Sequence, residues 1–322
     1  MVYMSVSEFA GHINKLPDQF ILTSHINPDG DGLGAMFAMG TALKSLGKKI
    51  HYVLAEPVRD YYHFLPEHEH LKFELPEIDS EFVLMSFDCG SKERISLPDW
   101  SHLEKKATVI NLDHHLSNDN FGDINLLEVN AISSCSIVYD LLLAMKAKIN
   151  PQIATCLYMG LMYDTGRFAY SKDPQAFYFG GKLIEAGADH WAVYSALFRH
   201  NDLQQFRTMG ELFLKLEEHL EGKLIILDIN KDETHKINLE ETENLINQVS
   251  NVKDIQMVIF FKYLEEEVTK VSFRSRGSVD VCALASSVGG GGHRNASGAV
   301  VKDNFHNTRN IIMEKAREIL SC

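Results

Sequence analysis

The chain has 322 residues, 45% hydrophobic and 23% charged, which leaves no case for disorder and is more chain than one core usually fills, so two domains are expected. A formal net charge of −13 excludes tracking along duplex DNA or long RNA, which needs a broad basic surface to release counterions, but leaves small phosphorylated substrates open. The N-terminus lacks an apolar signal core, no apolar stretch is long enough to span a bilayer, and the five cysteines show no paired spacing, so a cytoplasmic protein with reduced thiols and no membrane partner is expected.

The first apolar run, Phe20 to Thr23, reads as a buried parallel strand and ends in His25-Ile26-Asn27-Pro28-Asp29-Gly30-Asp31. Turn chemistry at Asp29 to Gly32 leads into Leu33, Met36, Phe37, Met39, Leu43 and Leu46 at helical spacing, with Gly47 as the stop. Phe82 to Met85 predicts a second strand, ending in Asp88-Cys89-Gly90, and Val109 to Leu112 a third, ending in Asp113-His114-His115. The alternation up to about Ile149 predicts a doubly wound parallel sheet. From Pro151 to about Lys215 the pattern is helical, and the run Leu157 to Met162, readable by itself as strand or helix, ends in Asp164-Thr165-Gly166.

Leu224 to Asp228 opens a new strand pattern. Strands over Gln256 to Lys262 and Val268 to Arg274, a helix over Val281 to Val288, a glycine run Gly289 to Gly292, a strand from about Ala296 and a helix from about Thr308 to Leu320 complete it. The organisation predicted is α/β, with a first domain over 1–200, a linker over 201–221 and a smaller α/β domain over 222–322.

Each strand or helix end carries metal-ligand residues, and in open α/β sheets the carboxyl ends of strands are where ligands bind. Asp29 and Asp31, two apart on one turn, can serve different cations, with His25 adding a nitrogen ligand. An Asp-Gly pair alone is more often a turn with a capping aspartate. Asp88 follows a buried run, where a carboxylate is costly unless paired or metal-bound. Of the adjacent His114 and His115, one should ligate and the other face substrate, with Asp113 orienting an imidazole; periodicity does not choose between them. Asp164 alone would read as a turn residue at a helix end. The set of oxygen and imidazole donors suits Mn²⁺ or Mg²⁺, as a two-metal hydrolytic site. In the second half, the glycine run with Gly291 and Gly292 lets backbone N–H groups approach an anion, and His293 with Arg274 would complete a phosphate or base clamp, Arg276 helping and Arg294 remaining a solvated charge.

In that order, His25, Asp29 and Asp31, then Asp88, then Asp113-His114-His115, then Asp164, resemble the four motifs of the DHH phosphoesterase family, and Gly289 to Gly298 resembles the nucleotide-binding motif of the DHH-associated C-terminal domain. Nearly the whole chain is covered, and length, domain order and the Phe273-Arg274-Ser275-Arg276 strand end are most similar to the bacterial nanoRNase group. The resemblance implies that His25, Asp29 and Asp88 hold one Mn²⁺ and that Asp31, Asp88, His114 and Asp164 hold the other, with His115 on the scissile phosphate. It implies an active site in an interdomain cleft and, as substrates, short RNA oligonucleotides cut to mononucleotides and 3′-phosphoadenosine 5′-phosphate. Ser91 departs from the pattern of many relatives, which carry an acid there, at a position outside the core ligands. Two alternatives are kept: a phosphodiesterase for cyclic or linear di-AMP, and an inactive nucleotide-binding regulator. A homodimer stays open.

Overall fold

The computed structural model describes residues 2–321 except 170, 172, 200, 201, 235, 236, 238–241, 243 and 244, with only the backbone described at 293. Two compact units divide the chain, Met1–His200 and Asn201–Cys322.

The first unit runs β1 (Val2–Tyr3), α1 (Val6–His12), β2 (Gln19–Ser24), α2 (Gly30–Ser45), β3 (Lys49–Val53), β4 (Leu71–Lys72), β5 (Phe82–Phe87), β6 (Ala107–Asp113), β7 (Ile124–Leu127), α3 (Ser134–Ala144), α4 (Pro151–Asp164), α5 (Pro174–Glu185) and α6 (His190–Phe198). The seven strands form one sheet in the order β1-β7-β6-β5-β2-β3-β4, each pair parallel. Strand β5 is buried throughout because both its faces are covered: Val83, Met85 and Phe87 enter the large core under α2, α3 and α4, while Phe82 and Leu84 enter a smaller one with Ile21, Val53 and Val109. Strand order reverses between β2 and β5, so the carboxyl ends there open a crevice in which a ligand can sit. In register, Ser24 pairs with Phe87 and Phe87 with Leu112, which brings His25, Asp88 and Asp113, each one residue further on, to the same edge.

Helix α2 is buried over nearly its whole length, lying between the sheet and α4. Gly160 of α4 allows that approach, since a Cβ there would collide with Asp31 Oδ1 and Cys135 Sγ. The ambiguous run Leu157 to Met162 is therefore helix, and Asp164 is its last helical residue.

The second unit runs α7 (Leu203–Phe213), β8 (Glu217–His219), β9 (Leu224–Ile229), α8 (Lys231–Thr234), α9 (Leu245–Val249), β10 (Met257–Glu265), β11 (Val268–Ser275), α10 (Val281–Ser286), β12 (Gly291–His293), β13 (Ala296–Val301) and α11 (Phe305–Ser321). Its mixed six-stranded sheet has the order β12-β13-β11-β10-β9-β8. Met257, Ile259 and Phe261 of β10 face a core with α10 and α11, and Val258 and Phe260 face another with α7 and α9. The stretch 201–221, expected as a linker, is instead built into this unit: Asp202 and Gln205 form a capping box for α7, Leu212 is buried in the core, and β8 pairs with β9. The final helix begins at Phe305, three residues before the expected start. Half of the glycine run is strand, with Gly291 opposite Gly298 and Gly292 opposite Ser297. Gly292 sits at φ 139°, where a Cβ would meet Ala296 O at 2.7 Å, so only glycine fits this edge.

Candidate metal centre

Six side chains singled out in the sequence converge at the carboxyl edge of the first sheet with His115, as three overlapping triads whose ligand atoms lie within 4.8 Å of one another: His25, Asp29 and Asp88; Asp88, His114 and His115; Asp31, His114 and Asp164. Asp88 belongs to two triads. His25 Nε2 lies 3.6 Å from Asp88 Oδ2 and 3.9 Å from Asp29 Oδ2, while His114 Nε2 lies 3.6 Å from Asp88 Oδ1 and 3.2 Å from Asp164 Oδ2.

The local backbone explains how each group is presented. Asp29 is the N-cap of α2, its Oδ1 accepting from the Asp31 and Gly32 N–H groups, so the ordinary capping role is real and coexists with a place in the cluster through Oδ2. His25 Nδ1 donates to Ile26 O at 2.9 Å, which leaves the Nε2 lone pair for a cation. Asp88 follows β5 in a left-handed backbone at φ 56°, a conformation that costs about 1–3 kcal/mol and persists where the surroundings overdetermine it. Its N–H donates to Leu112 O and its Oδ1 accepts from Ser134 Oγ at 3.0 Å. Asp31 is clamped by the first turn of α3, whose Ser134 and Cys135 N–H groups donate to its two carboxylate oxygens at 2.6 and 2.9 Å. Asp164 sits at the C-terminal end of α4, where the helix dipole disfavours a carboxylate.

The choice left open between the two histidines has a geometric handle. His115 donates Nδ1–H to Asp113 Oδ1 at 2.8 Å and is the more exposed ring, so its remaining nitrogen is Nε2. Asp113 joins no triad and stands behind His115, held by Asn118 Nδ2 at 2.5 Å and by the His114 N–H at 2.8 Å. Asn118 also donates to Cys89 O and accepts from Asn111 and the Asn120 N–H, which ties the second and third motifs together. Sequence reading missed Asn118 and Ser134. An asparagine five residues past Asp113 in a loop carried no signal, whereas Ser133 and Ser136 around Ser134 spell a capping box.

Electrostatics show a site short of positive charge. Burial, then the neighbouring Asp164, pushes the Asp31 carboxyl up to about 7, and burial followed by Asp31, Asp29 and Asp164 drives Asp88 well above the usual carboxylate range. Asp29 is raised by burial as well. Burial pulls His114 down, but its bond to Asp164 and the charges of Asp164, Asp31 and Asp113 outweigh that and raise it to about 9. The hydrogen bond to Asp113 raises His115, and Asp113 itself stays below its usual value, against the pull of burial, through bonds from His115 and Asn118. Nearby thiols stay neutral, burial pushing Cys89 up to about 11 and Cys135 further. A set of carboxylate oxygens and imidazole nitrogens with no available thiolate fits hard divalent cations such as Mn²⁺ and Mg²⁺.

In the second unit, Arg274 lies at the end of β11, its Nε donating to Asn247 Oδ1 at 2.8 Å and Nη1 to Phe273 O. Arg276 is exposed, and Arg294, expected as a free solvated charge, donates to Ser278 O. Gly291 and Gly292 lie on the edge strand β12, and the side chain of His293 lies outside the described residues.

A parallel sheet with such a cluster at its switch point fits the class of metal-dependent hydrolases, with groups able to hold metal. Residues 19–161 match the DHH family, N-terminal domain, and residues 221–321 match the DHHA1 domain, so the chain carries both a DHH and a DHHA1 domain. It is 28% identical to the bifunctional oligoribonuclease and PAP phosphatase NrnA of Thermus thermophilus, over 93% of this chain and 90% of the relative. To the protein of that name from Bacillus subtilis it is 26% identical, over 89% of this chain and 90% of the relative. Among solved structures, an exopolyphosphatase-related protein from Bacteroides fragilis superposes with TM-score 0.85 at 23% identity, covering 97% of this chain and 95% of the other. RecJ of Thermus thermophilus in complex with Mn²⁺ superposes with TM-score 0.54 at 14% identity, covering 97% of this chain and 55% of that one. Both likenesses speak to the fold. Among the described residues, no helix is long and apolar enough to cross a membrane.

Proposed function

We propose that the protein hydrolyses short oligoribonucleotides to mononucleotides and removes the 3′-phosphate of 3′-phosphoadenosine 5′-phosphate, with two Mn²⁺ ions per site and Mg²⁺ as the substitute. The carrying observation is the buried carboxylate and imidazole cluster, placed in a chain that aligns over most of its length with relatives named for these two activities. The phosphoesterase domain is assigned to the first unit and the substrate-binding domain to 222–322 of the second, with α7 and β8 packed onto it.

His25, Asp29 and Asp88 would hold one cation, and Asp31, Asp88, His114 and Asp164 the other, Asp88 serving both. When bound, the cations lower the pKa of a water molecule and neutralise charge on the phosphoryl group. Protein groups do the positioning. Asp113, fixed by Asn118, accepts from His115 Nδ1–H and orients the ring, so that the protonated imidazole would donate from Nε2 to a phosphoryl oxygen as charge builds there. That bond also raises the pKa of His115, which favours the protonated form this role needs. Arg274, oriented by Asn247, grips substrate together with Arg276, the backbone of Gly291 and Gly292, and His293. Relatives named as oligoribonucleases support substrates of a few nucleotides, and the net charge of −13 works against long duplexes.

The test is turnover of a labelled RNA series, from the dinucleotide to about two dozen nucleotides, beside 3′-phosphoadenosine 5′-phosphate and cyclic di-AMP, with Mn²⁺ and with chelator. Metal-dependent cleavage that falls with length is expected. Binding without cleavage would make the protein a nucleotide-binding regulator, and a preference for cyclic di-AMP over every RNA would change the substrate.

A further inference from the structure

The N-terminal turn of α3 touches the cluster at three points. The Ser134 and Cys135 N–H groups bind the two oxygens of Asp31, and the Ser134 hydroxyl donates to Asp88 Oδ1. Ser134 and Cys135 are fully buried, and Asp31 lies more than a hundred positions away in the chain, so these bonds exist only in the folded protein. The turn is held in place, because Ser133 and Ser136 close a capping box over it and α4 approaches Asp31 and Cys135 so closely at Gly160 that a Cβ there would collide with both. Asp31 and Asp88 are the carboxylates in the cluster with the least access to water, at 0% and 4% exposure, so water cannot stand in for a lost donor.

From this geometry we infer that Ser134 is a positioning residue for metal binding. It fixes the distance between Asp31 and Asp88, and thereby the placing of the triad that holds Asp31 against the two triads that Asp88 shares. A hydroxyl suits the place for a stated reason. Asp88 Oδ1 faces His114 Nε2 and His115 Nδ1 at 3.6 Å each, while Oδ2 faces His25. A single neutral donor on Oδ1 selects the carboxylate rotation that points one oxygen at each histidine side, whereas a lysine or arginine there would neutralise the charge a cation needs. Groups that orient ligating carboxylates typically change metal affinity 10–100-fold when removed. Free carboxylate rotation about χ2 is what the hydroxyl prevents.

This inference rests on the metal reading of the cluster, and its test separates the two. Mn²⁺ binding is measured without substrate, from the electron paramagnetic resonance signal of free Mn²⁺, on the full chain as wild type, Ser134→Ala, Ser134→Thr and Ser136→Ala. Ser134→Ala is expected to weaken Mn²⁺ binding by about tenfold or more, with Ser134→Thr recovering most of the loss because it keeps the hydroxyl. Ser136→Ala removes a capping bond of the same helix and touches no carboxylate, so it should lower the melting temperature while leaving Mn²⁺ affinity within about twofold. With substrate present, the Mn²⁺ concentration needed for half-maximal rate should rise in Ser134→Ala while KM at saturating Mn²⁺ holds. Should Ser134→Ala fail to fold, isosteric Ser134→Cys, whose thiol donates weakly, replaces it with the same expected loss. Wild-type affinity in a folded Ser134→Ala, or an equal loss in Ser136→Ala, overturns the assignment to Ser134. Absence of Mn²⁺ binding by the wild type overturns the metal reading beneath it.

Discussion

Each unit of the molecule gathers acidic groups, and the two neutralise them in different ways. In the second unit, Asp228 and Glu217 share Arg309, whose Nε lies 2.9 Å from Asp228 Oδ2 and whose Nη2 lies 2.6 Å from Glu217 Oε2. With that permanent cation and His219 beside it, Glu217 stays below its usual pKa despite the upward pull of burial. In the first unit the charges that act most strongly on Asp29, Asp31 and Asp88 are one another, Asp164 and two imidazoles, and all three carboxyls are pushed up. An ion pair made for stability carries its cation in the chain: the more exposed acid, Glu217, is depressed by it, while burial still holds Asp228 above its ordinary value. Raised carboxyl pKa values in a crevice mark a place where the counter-charge comes from outside.

The largest effect that would break this contrast is at Asp88. Asp88→Asn keeps the shape and the Ser134 bond but removes the charge that both sides of the cluster share. Hydrolysis is expected to fall by at least about three orders of magnitude, because metal positioning and phosphoryl charge neutralisation are lost together. The metal-free variant should unfold at the same temperature as wild type or higher, since a buried carboxylate crowded by others costs stability when ionised. Turnover and calorimetry on the same preparation decide it, and unchanged turnover would sink the two-metal reading.

Next comes pH. Asp31 titrates at about 7 in the folded chain against 3.8 for the free group, so between these values the folded state holds a proton that the unfolded state has released. Stability of the metal-free protein therefore falls as pH rises from about 4 to 7. His114, raised from 6.5 to about 9, adds stability that is complete below 6.5 and is lost as pH climbs through 9. Both groups act in the same direction. Mn²⁺ competes with those protons, so the stabilisation it gives should grow with pH. At a hundredfold excess over its dissociation constant a ligand contributes about 2.7 kcal/mol, or roughly 5–10 °C for a unit of this size. Thermal scans at pH 6 and 8.5, with Mn²⁺ and with chelator, should show the larger shift at the higher pH; an equal or smaller one there would show that the cluster is not being relieved of charge by the metal.

These contrasts also separate what was legible in the sequence from what was not. His25, Asp29, Asp31, Asp88, His114 and Asp164 could be found because each ends an apolar run, and parallel strands in register deliver their ends to one edge. Helix α4 was legible from Pro151 onward, although the run Leu157 to Met162 taken alone reads as strand or helix, because a helix buried on most sides loses its amphipathic period. Asn118 and Ser134 act through bonds whose partners are set by the tertiary fold, which no local pattern announces. The stretch 201–221, expected as a linker, was legible in its first part and not in its second. The Asp202 to Gln205 capping box and the spacing of Leu203, Phe206 and Met209 did signal α7, whereas β8, Glu217 to His219, is a charged three-residue edge strand with no apolar alternation to read. The charge on β8 is the other half of the contrast, since Glu217 is where Arg309 binds.

Removing that built-in cation gives the smallest effect and the sharpest control. Arg309→Met keeps the aliphatic stem against β9 and leaves Asp228, one oxygen of which is buried without a hydrogen bond, beside Glu217 with no guanidinium between them. Breaking a fully buried pair costs about 3–5 kcal/mol, and an exposed pair about 0–1. With side-chain exposures of 24% for Arg309 and 21% for Asp228, a loss of about 2 kcal/mol is expected. The loss should shrink as pH falls, because burial has already raised the Asp228 pKa and protonation removes the orphaned charge. Chelator-treated and Mn²⁺-loaded protein should lose the same amount, because the second unit takes its counter-charge from the chain. A denaturant series on the variant at neutral and acidic pH checks both points. If Mn²⁺ were to rescue Arg309→Met, the acids of the second unit would be recruiting external cations as well, and the distinction between the two kinds of acid cluster would fall.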